Sequence, residues 1–169
     1  MNHKAAIPNA FTLTNLLLGI LSIVYTMDQN YRMSAIMILL AAILDGMDGK
    51  VARKLDVASP FGKELDSLSD LVSFGVAPAI LIYAAQLNEP YGIIGLTVAI
   101  LFALCGAIRL ARFNILNITT HFLGIPITVA GPLMALFSLA GDHLPDLFFP
   151  VAMLLLAGLM VSNLKVPKF

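Results

Sequence analysis

Long stretches without any Asp, Glu, Lys or Arg constrain the fold of this chain more than any other feature. They cover residues 5–27, 71–88, 90–108, 113–141 and 147–164. Each is as long as the roughly 17 to 25 residues that a membrane-spanning helix needs. Charged residues make up only 12% of the 169 residues, against about 25% in a soluble domain. A water-soluble core is therefore implausible, and we expect an integral membrane protein.

A further spanning helix is predicted from Met33 onward. Only twelve uncharged residues begin there, so this helix reaches spanning length only if it continues through Asp45 and Asp48. The sequence therefore predicts an all-α membrane protein with six transmembrane helices. We expect a single domain over residues 1–169, with a short interfacial helix before Phe11.

The positive charges indicate the orientation. If the spans alternate in direction, nine of the ten Lys and Arg residues fall on one side of the membrane, and only Arg32 falls on the other. Cytoplasmic segments carry the excess of such residues, so both termini are predicted to be cytoplasmic, in a multi-pass protein of the cell membrane. The formal net charge is zero, which gives no support to nucleic-acid binding.

Four aspartates form two pairs at the predicted cytoplasmic side: Asp45 with Asp48, and Asp66 with Asp70. The spacings of three and four residues put each pair on one helical face. A carboxylate inside a membrane is costly and usually functional. Mg²⁺ or Mn²⁺ prefers oxygen ligands and would relieve the repulsion between the carboxylates. Two facing helices could hold two ions about 3.5 to 4 Å apart, a spacing that clamps the oxygens of a phosphoryl centre.

Cations and small residues surround these pairs. The cations could bind an anion or could serve topology and lipid headgroup contact; they are Lys50, Arg53, Lys63, Arg109 and Arg112. The small residues that leave room for a bulky ligand are Gly49, Ala52 and Gly62. For Gly46 and Gly75, helix packing is the favoured interpretation.

The two aspartate pairs resemble the signature of a known family. The pattern Asp45-x-x-Asp48-Gly49-x-x-Ala52-Arg53, then eight residues, then Gly62-x-x-x-Asp66-x-x-x-Asp70 is similar to the complete motif of the CDP-alcohol phosphotransferases. Three further segments resemble the phosphatidylserine synthase subfamily: 67–79, 109–114 and 122–132.

The resemblance implies both a reaction and roles for individual residues. It implies that an acceptor alcohol attacks the lipid-bound phosphorus of a CDP-diacylglycerol-type lipid, and that CMP leaves. It further implies that Asp45, Asp48 and Asp66 bind metal, and that Asp70 binds metal and acts as general base. The residues expected to bind the CDP-lipid are Asn9, Thr12, Gly49, Ala52, Arg53, Gly62 and Lys63.

The resemblance to the phosphatidylserine synthases implies that the acceptor is L-serine. A planar guanidinium suits the serine carboxylate by bidentate hydrogen bonding, and Arg109 or Arg112 could supply it, although either could instead bind phosphate. Glycerol phosphate and inositol phosphate are the alternative acceptors. Outside this enzyme class, a divalent-cation transporter and a structural lipid-binding protein remain possible. The resemblance also implies a homodimer.

Overall fold

The structure is a computed structural model that describes residues 3–55, 59–116, 121–163 and 165–167, with backbone alone for 3–8, 48–55, 116, 121–123, 142 and 165–167. Its α-helices are α1 (His3–Met27), α2 (Tyr31–Leu55), α3 (Pro60–Asp70), α4 (Ala77–Ile82), α5 (Asn88–Leu116), α6 (Ile127–Leu139) and α7 (Phe148–Val161). Two π-helical segments, π1 (Leu71–Val76) and π2 (Tyr83–Leu87), flank α4, and a 3₁₀ turn covers Gly141–His143. The all-α prediction is confirmed, apart from a small ladder in which β1 (His121–Leu123) pairs antiparallel with β2 (Lys165–Pro167).

Helix α1 carries its polar side chains inward and its apolar side chains outward. Thr12, Asn15, Ser22 and Thr26 are buried, whereas a stripe of large apolar side chains is exposed; it includes Leu13, Leu17, Ile20 and Val24. Soluble proteins rarely expose a continuous stripe of large apolar side chains. Lipid is the solvent that suits such a surface.

The third predicted span belongs to a helix that is longer than its uncharged stretch. Helix α3 starts at Pro60, whose neighbour Ser59 accepts a hydrogen bond from the Gly62 N–H as an N-cap. It then continues through π1, α4 and π2 to Leu87 without a break. The uncharged stretch that begins at residue 71 therefore lies within a longer helix, because a helix can carry charges along one face. Asp66 and Asp70 therefore lie on the same continuous rod as the apolar span.

The break after this rod lies at Gly92. Gly92 has φ 49° and ψ −119°, a conformation that residues with a β-carbon rarely adopt. The chain then packs back on the rod so closely that a β-carbon on Gly95 would lie 2.8 Å from the Leu87 carbonyl oxygen. Residues 60–91 and 93–116 thus form two adjacent arms.

The last two helices are shorter than the uncharged stretches that predicted them. Residues 113–141 do not form one helix, because α5 ends at Leu116 and α6 begins only after Pro126. Gly124 between them has φ 70°. At about 1.5 Å per residue, the 13 residues of α6 and the 14 of α7 reach only about 20 Å. The absence of charge was a poor guide to helix length here.

Among the residues that the structure describes, two helical stretches are long and apolar enough to cross a membrane by length and composition: Asn9–Met27 and Pro60–Ile115. The second would extend about 84 Å if straight, far beyond a hydrocarbon layer of about 30 Å. The kink at Gly92 divides it into the two arms described above.

Candidate active site

Three of the four predicted metal-binding aspartates come together. Asp45 on α2 and Asp66 and Asp70 on α3 each offer a carboxylate oxygen, and these oxygens lie within 4.8 Å of one another. Asp70 is buried, at 7% exposure, and the other two are half-buried. Asp48 lies on α2, but its side chain is outside the described residues.

The chemistry of this cluster fits a hard divalent cation. Three oxygen donors of like charge at this spacing repel one another, and a Mg²⁺ or Mn²⁺ ion offsets that repulsion. Such ions commonly complete their coordination with water and substrate phosphates. The three aspartates could therefore hold a metal beside a diphosphate.

Two serine hydroxyl groups hold α1 against the helix that carries Asp70. Ser69 donates to the Thr12 carbonyl oxygen at 3.0 Å, and Ser73 donates to the Asn15 carbonyl oxygen at 3.0 Å. Both serines are fully buried. Since Asp70 follows Ser69 directly, these bonds fix the position of α1 relative to the carboxylate cluster.

Asn15 is a site residue that the sequence analysis missed. It is completely buried, and its side-chain Nδ2 donates to Asp70 Oδ1 at 3.5 Å. A sequence signal for it existed, because Thr12, Asn15, Ser22 and Thr26 recur at intervals that keep them on one side of an otherwise apolar helix. Buried polar residues in such a helix are candidates for function.

The two predicted arginines have different surroundings. Arg109 is buried at 7% exposure, its charge acts on Asp70, and its guanidinium carbon lies 5.8 Å from the centre of the Phe113 ring. Arg112 instead donates to the Val161 carbonyl oxygen at 2.8 Å and to Asn163 Oδ1 at 2.7 Å. Arg109 is thus buried beside Phe113, whereas Arg112 ties α5 to the end of α7.

The predicted CDP-lipid residues that can be described lie around the start of α3. A β-carbon on Gly62 would lie 3.2 Å from Asn9 Oδ1, so α1 and α3 approach closely there. Thr12 is buried one turn further along α1. Lys63 Nζ donates to the Asn114 carbonyl oxygen at 3.3 Å. The other predicted residues here lie on α2 with surroundings outside the described part of the chain: Gly49, Lys50, Ala52 and Arg53.

The two glycines assigned to helix packing, Gly46 and Gly75, differ in their surroundings. A β-carbon on Gly75 would lie 3.2 Å from Ile127 Cδ1, whereas one on Gly46 would meet nothing within 4 Å. The packing interpretation fits Gly75, and for Gly46 it stays a prediction, because the described residues provide no contact there.

Comparison with known proteins identifies a family that the sequence of this chain matches. Residues 5–162 match the family model described as CDP-alcohol phosphatidyltransferase. The chain is 41% identical over 178 residues to a CDP-diacylglycerol–serine O-phosphatidyltransferase of Helicobacter pylori, which covers 100% of this chain and 75% of the relative. It is 39% identical over 165 residues to the Bacillus subtilis protein of the same name, covering 96% of this chain and 90% of the relative.

An archaeal relative carries a related name. The archaetidylserine synthase of Methanothermobacter thermautotrophicus is 41% identical over 167 residues, covering 96% of this chain and 70% of the relative. Because the family model spans nearly the whole chain, and relatives at this identity match over most of their own length, the chain belongs to the CDP-alcohol phosphatidyltransferase family.

Proposed function

We propose that this chain transfers the phosphatidyl group of a CDP-diacylglycerol-type lipid to the hydroxyl of L-serine and releases CMP. The cluster of Asp45, Asp66 and Asp70 carries the phosphoryl-transfer part of this proposal. The names of the relatives at about 40% identity support serine as acceptor. The enzyme class predicted from the sequence agrees with the family.

The reaction forms one P–O bond and breaks another. The serine hydroxyl oxygen attacks the phosphorus that bears the lipid, and the bond from that phosphorus to the oxygen shared with CMP breaks. CMP leaves with the bonding electron pair, and the hydroxyl proton passes to the Asp70 carboxylate. The burial of Asp70 beside the other two carboxylates supports this role, since proton transfer by a positioned base needs close geometry.

The metal, Mg²⁺ or Mn²⁺ and as two ions, would be held by four carboxylates: Asp45, Asp48, Asp66 and Asp70. When bound, the metal supplies charge stabilisation at the phosphoryl oxygens. Asn9, Thr12, Gly62 and Lys63 would bind the CDP-lipid at the start of α3, with Gly49, Ala52 and Arg53 contributing from α2. Arg109 would orient the serine carboxylate, since its charge already acts on Asp70.

The proposed setting is a cell membrane crossed six times by one domain covering residues 1–169. Both termini and the carboxylate cluster would face the cytoplasm, where serine and CMP are soluble. The outward-facing apolar stripe of α1 supports contact with lipid, and the positive charges support the orientation. Exposed apolar faces also leave room for a homodimer.

A panel of acceptors tests the proposal. Purified protein in detergent or vesicles is supplied with CDP-diacylglycerol, or with its dialkyl analogue, and CMP release is followed with serine, glycerol 3-phosphate or inositol phosphate. We expect metal-dependent CMP release with serine. Release only with a phosphorylated acceptor would contradict serine as substrate, and cation flux without CMP release would favour a transporter.

A further inference from the structure

Two buried polar side-chain atoms have no hydrogen-bond partner among the described residues: Asn15 Oδ1, on a side chain that contacts Asp70, and Arg109 Nε. Asn15 is 0% exposed and Arg109 is 7% exposed. Burial of an amide oxygen or a guanidinium N–H without a partner is unfavourable. Each therefore needs a partner in the working enzyme.

The orientation of the Asn15 amide follows from Asp70. Its Nδ2 donates to Asp70 Oδ1 at 3.5 Å. The reversed amide would place its oxygen against a carboxylate, so the orientation with Nδ2 towards Asp70 is favoured. The unpartnered end of Asn15 is therefore an acceptor, and it suits a cationic donor.

The two unpartnered atoms have opposite preferences. Asn15 Oδ1 accepts and suits an ammonium group, whereas Arg109 Nε donates and suits a carboxylate. Both residues act on Asp70, one by a hydrogen bond and one by its charge. A small zwitterion that carries a hydroxyl, an ammonium and a carboxylate would match Asp70, Asn15 and Arg109 in turn.

We propose that Asn15 Oδ1 accepts a hydrogen bond from the ammonium of serine while Asp70 takes the proton of the serine hydroxyl. This role rests on the proposed function and deepens it. The hydroxyl and the amine of serine sit on neighbouring carbons, so a hydroxyl at Asp70 brings the ammonium within reach of a side chain that contacts Asp70. An amide suits the position because it adds no further negative charge beside the three carboxylates.

The experiment compares two acceptors that differ only at the proposed contact, L-serine and 3-hydroxypropanoate, which lacks the amino group. Asn15→Leu keeps the approximate size of the side chain and removes both the acceptor Oδ1 and the Nδ2 donor to Asp70. A hydrogen bond to a charged group accounts for about a 10- to 100-fold change in affinity. We expect the KM for serine to rise by about that factor, while the KM values for 3-hydroxypropanoate and for CDP-diacylglycerol change little.

Acceptor preference separates recognition from positioning. If Asn15 acts only by positioning Asp70, the variant loses kcat equally with both acceptors and keeps the wild-type preference for serine, which would overturn the proposal. Asn15→Ser, whose side chain is too short for the contact, gives the same test if the Leu variant does not fold. Thr14→Val is the matched control, because Thr14 is exposed on the same helix and donates to the Ala10 carbonyl oxygen.

The outcome also distinguishes this role from the proposed function. Wild-type protein that releases no CMP with serine would overturn both. Wild-type release with serine, together with an unchanged serine preference in both Asn15 variants, would overturn the role of Asn15 alone.

Discussion

Gly19 of α1 faces Ser73 of π1 so closely that a β-carbon on Gly19 would lie 2.9 Å from the Ser73 Cα atom. Ser73 in turn donates to the Asn15 carbonyl oxygen, one turn away on α1. The absence of a side chain at Gly19 therefore sets how near Asn15 comes to Asp70. The geometry of the site depends on a contact outside the carboxylate cluster.

Gly19→Ala should consequently impair both stability and activity. The added carbon meets backbone, so α1 must move away, and overpacking of this kind costs about 1 to 3 kcal/mol. Thermal unfolding and CMP release measure the two effects. Gly158→Ala is the control, because a β-carbon there meets nothing within 4 Å among the described atoms. Equal behaviour of the two variants would contradict the close approach.

Asp45→Ala and Asp66→Ala should abolish CMP release and weaken the binding of Mn²⁺. Each removes one of the three oxygen donors that lie within 4.8 Å of one another, and a hard cation depends on such donors. Electron paramagnetic resonance of Mn²⁺ measures binding without turnover. Asp28→Asn is the control, because Asp28 is exposed just after the last residue of α1, and this variant should bind Mn²⁺ normally. Near-normal turnover by either Ala variant would contradict a metal site at the carboxylate cluster.

Asp70→Asn should separate catalysis from lipid binding. The amide keeps the shape of the side chain but cannot take the hydroxyl proton, so turnover should fall by about two to four orders of magnitude. CDP-diacylglycerol should still bind, which equilibrium binding of the radiolabelled lipid would measure. If lipid affinity falls as much as the rate, Asp70 serves chiefly to assemble the metal site.

Arg109→Lys and Arg112→Lys should have different effects on the KM for serine and on stability, although the two residues lie only three positions apart. Lys keeps the charge but loses the planar fork. At the buried Arg109 this should raise the KM for serine more than the KM for CDP-diacylglycerol. At Arg112 it should weaken the bonds to Val161 and Asn163 and lower thermal stability. A larger effect on serine KM at Arg112 would reverse the assignment.

Ser34→Ala should destabilise the protein without changing substrate preference. The Ser34 hydroxyl lies 2.8 Å from Ser22 Oγ and 2.7 Å from Thr26 Oγ1 in a buried cluster that joins α1 to α2. Loss of one such group should cost about 1 to 2 kcal/mol. Thermal unfolding measures this cost, with Thr97→Val as control, since Thr97 is exposed and bonds within its own helix. A shift in the ratio of acceptor KM values would contradict a purely structural role.

The sequence by itself determined the helical class, the family and the faces that the aspartates share. These properties depend on local spacing: the helical period aligns Asp66 with Asp70, and uncharged runs indicate where lipid can surround a helix. The same local reasoning did not locate the kink at Gly92, since backbone conformation, not charge, decides where a helix turns.

Only the tertiary structure decided which helices meet at the site. Asn15 and Asp70 are 55 residues apart, and nothing in the period of either helix specifies that they touch. Their contact depends on how α1 crosses the helix that carries Asp70. The absence of a side chain at Gly19 and the hydrogen bond from the Ser73 hydroxyl allow that crossing. The crossing of packed helices depends on side-chain shape at the contact, and that shape is complementary only once both helices are in place.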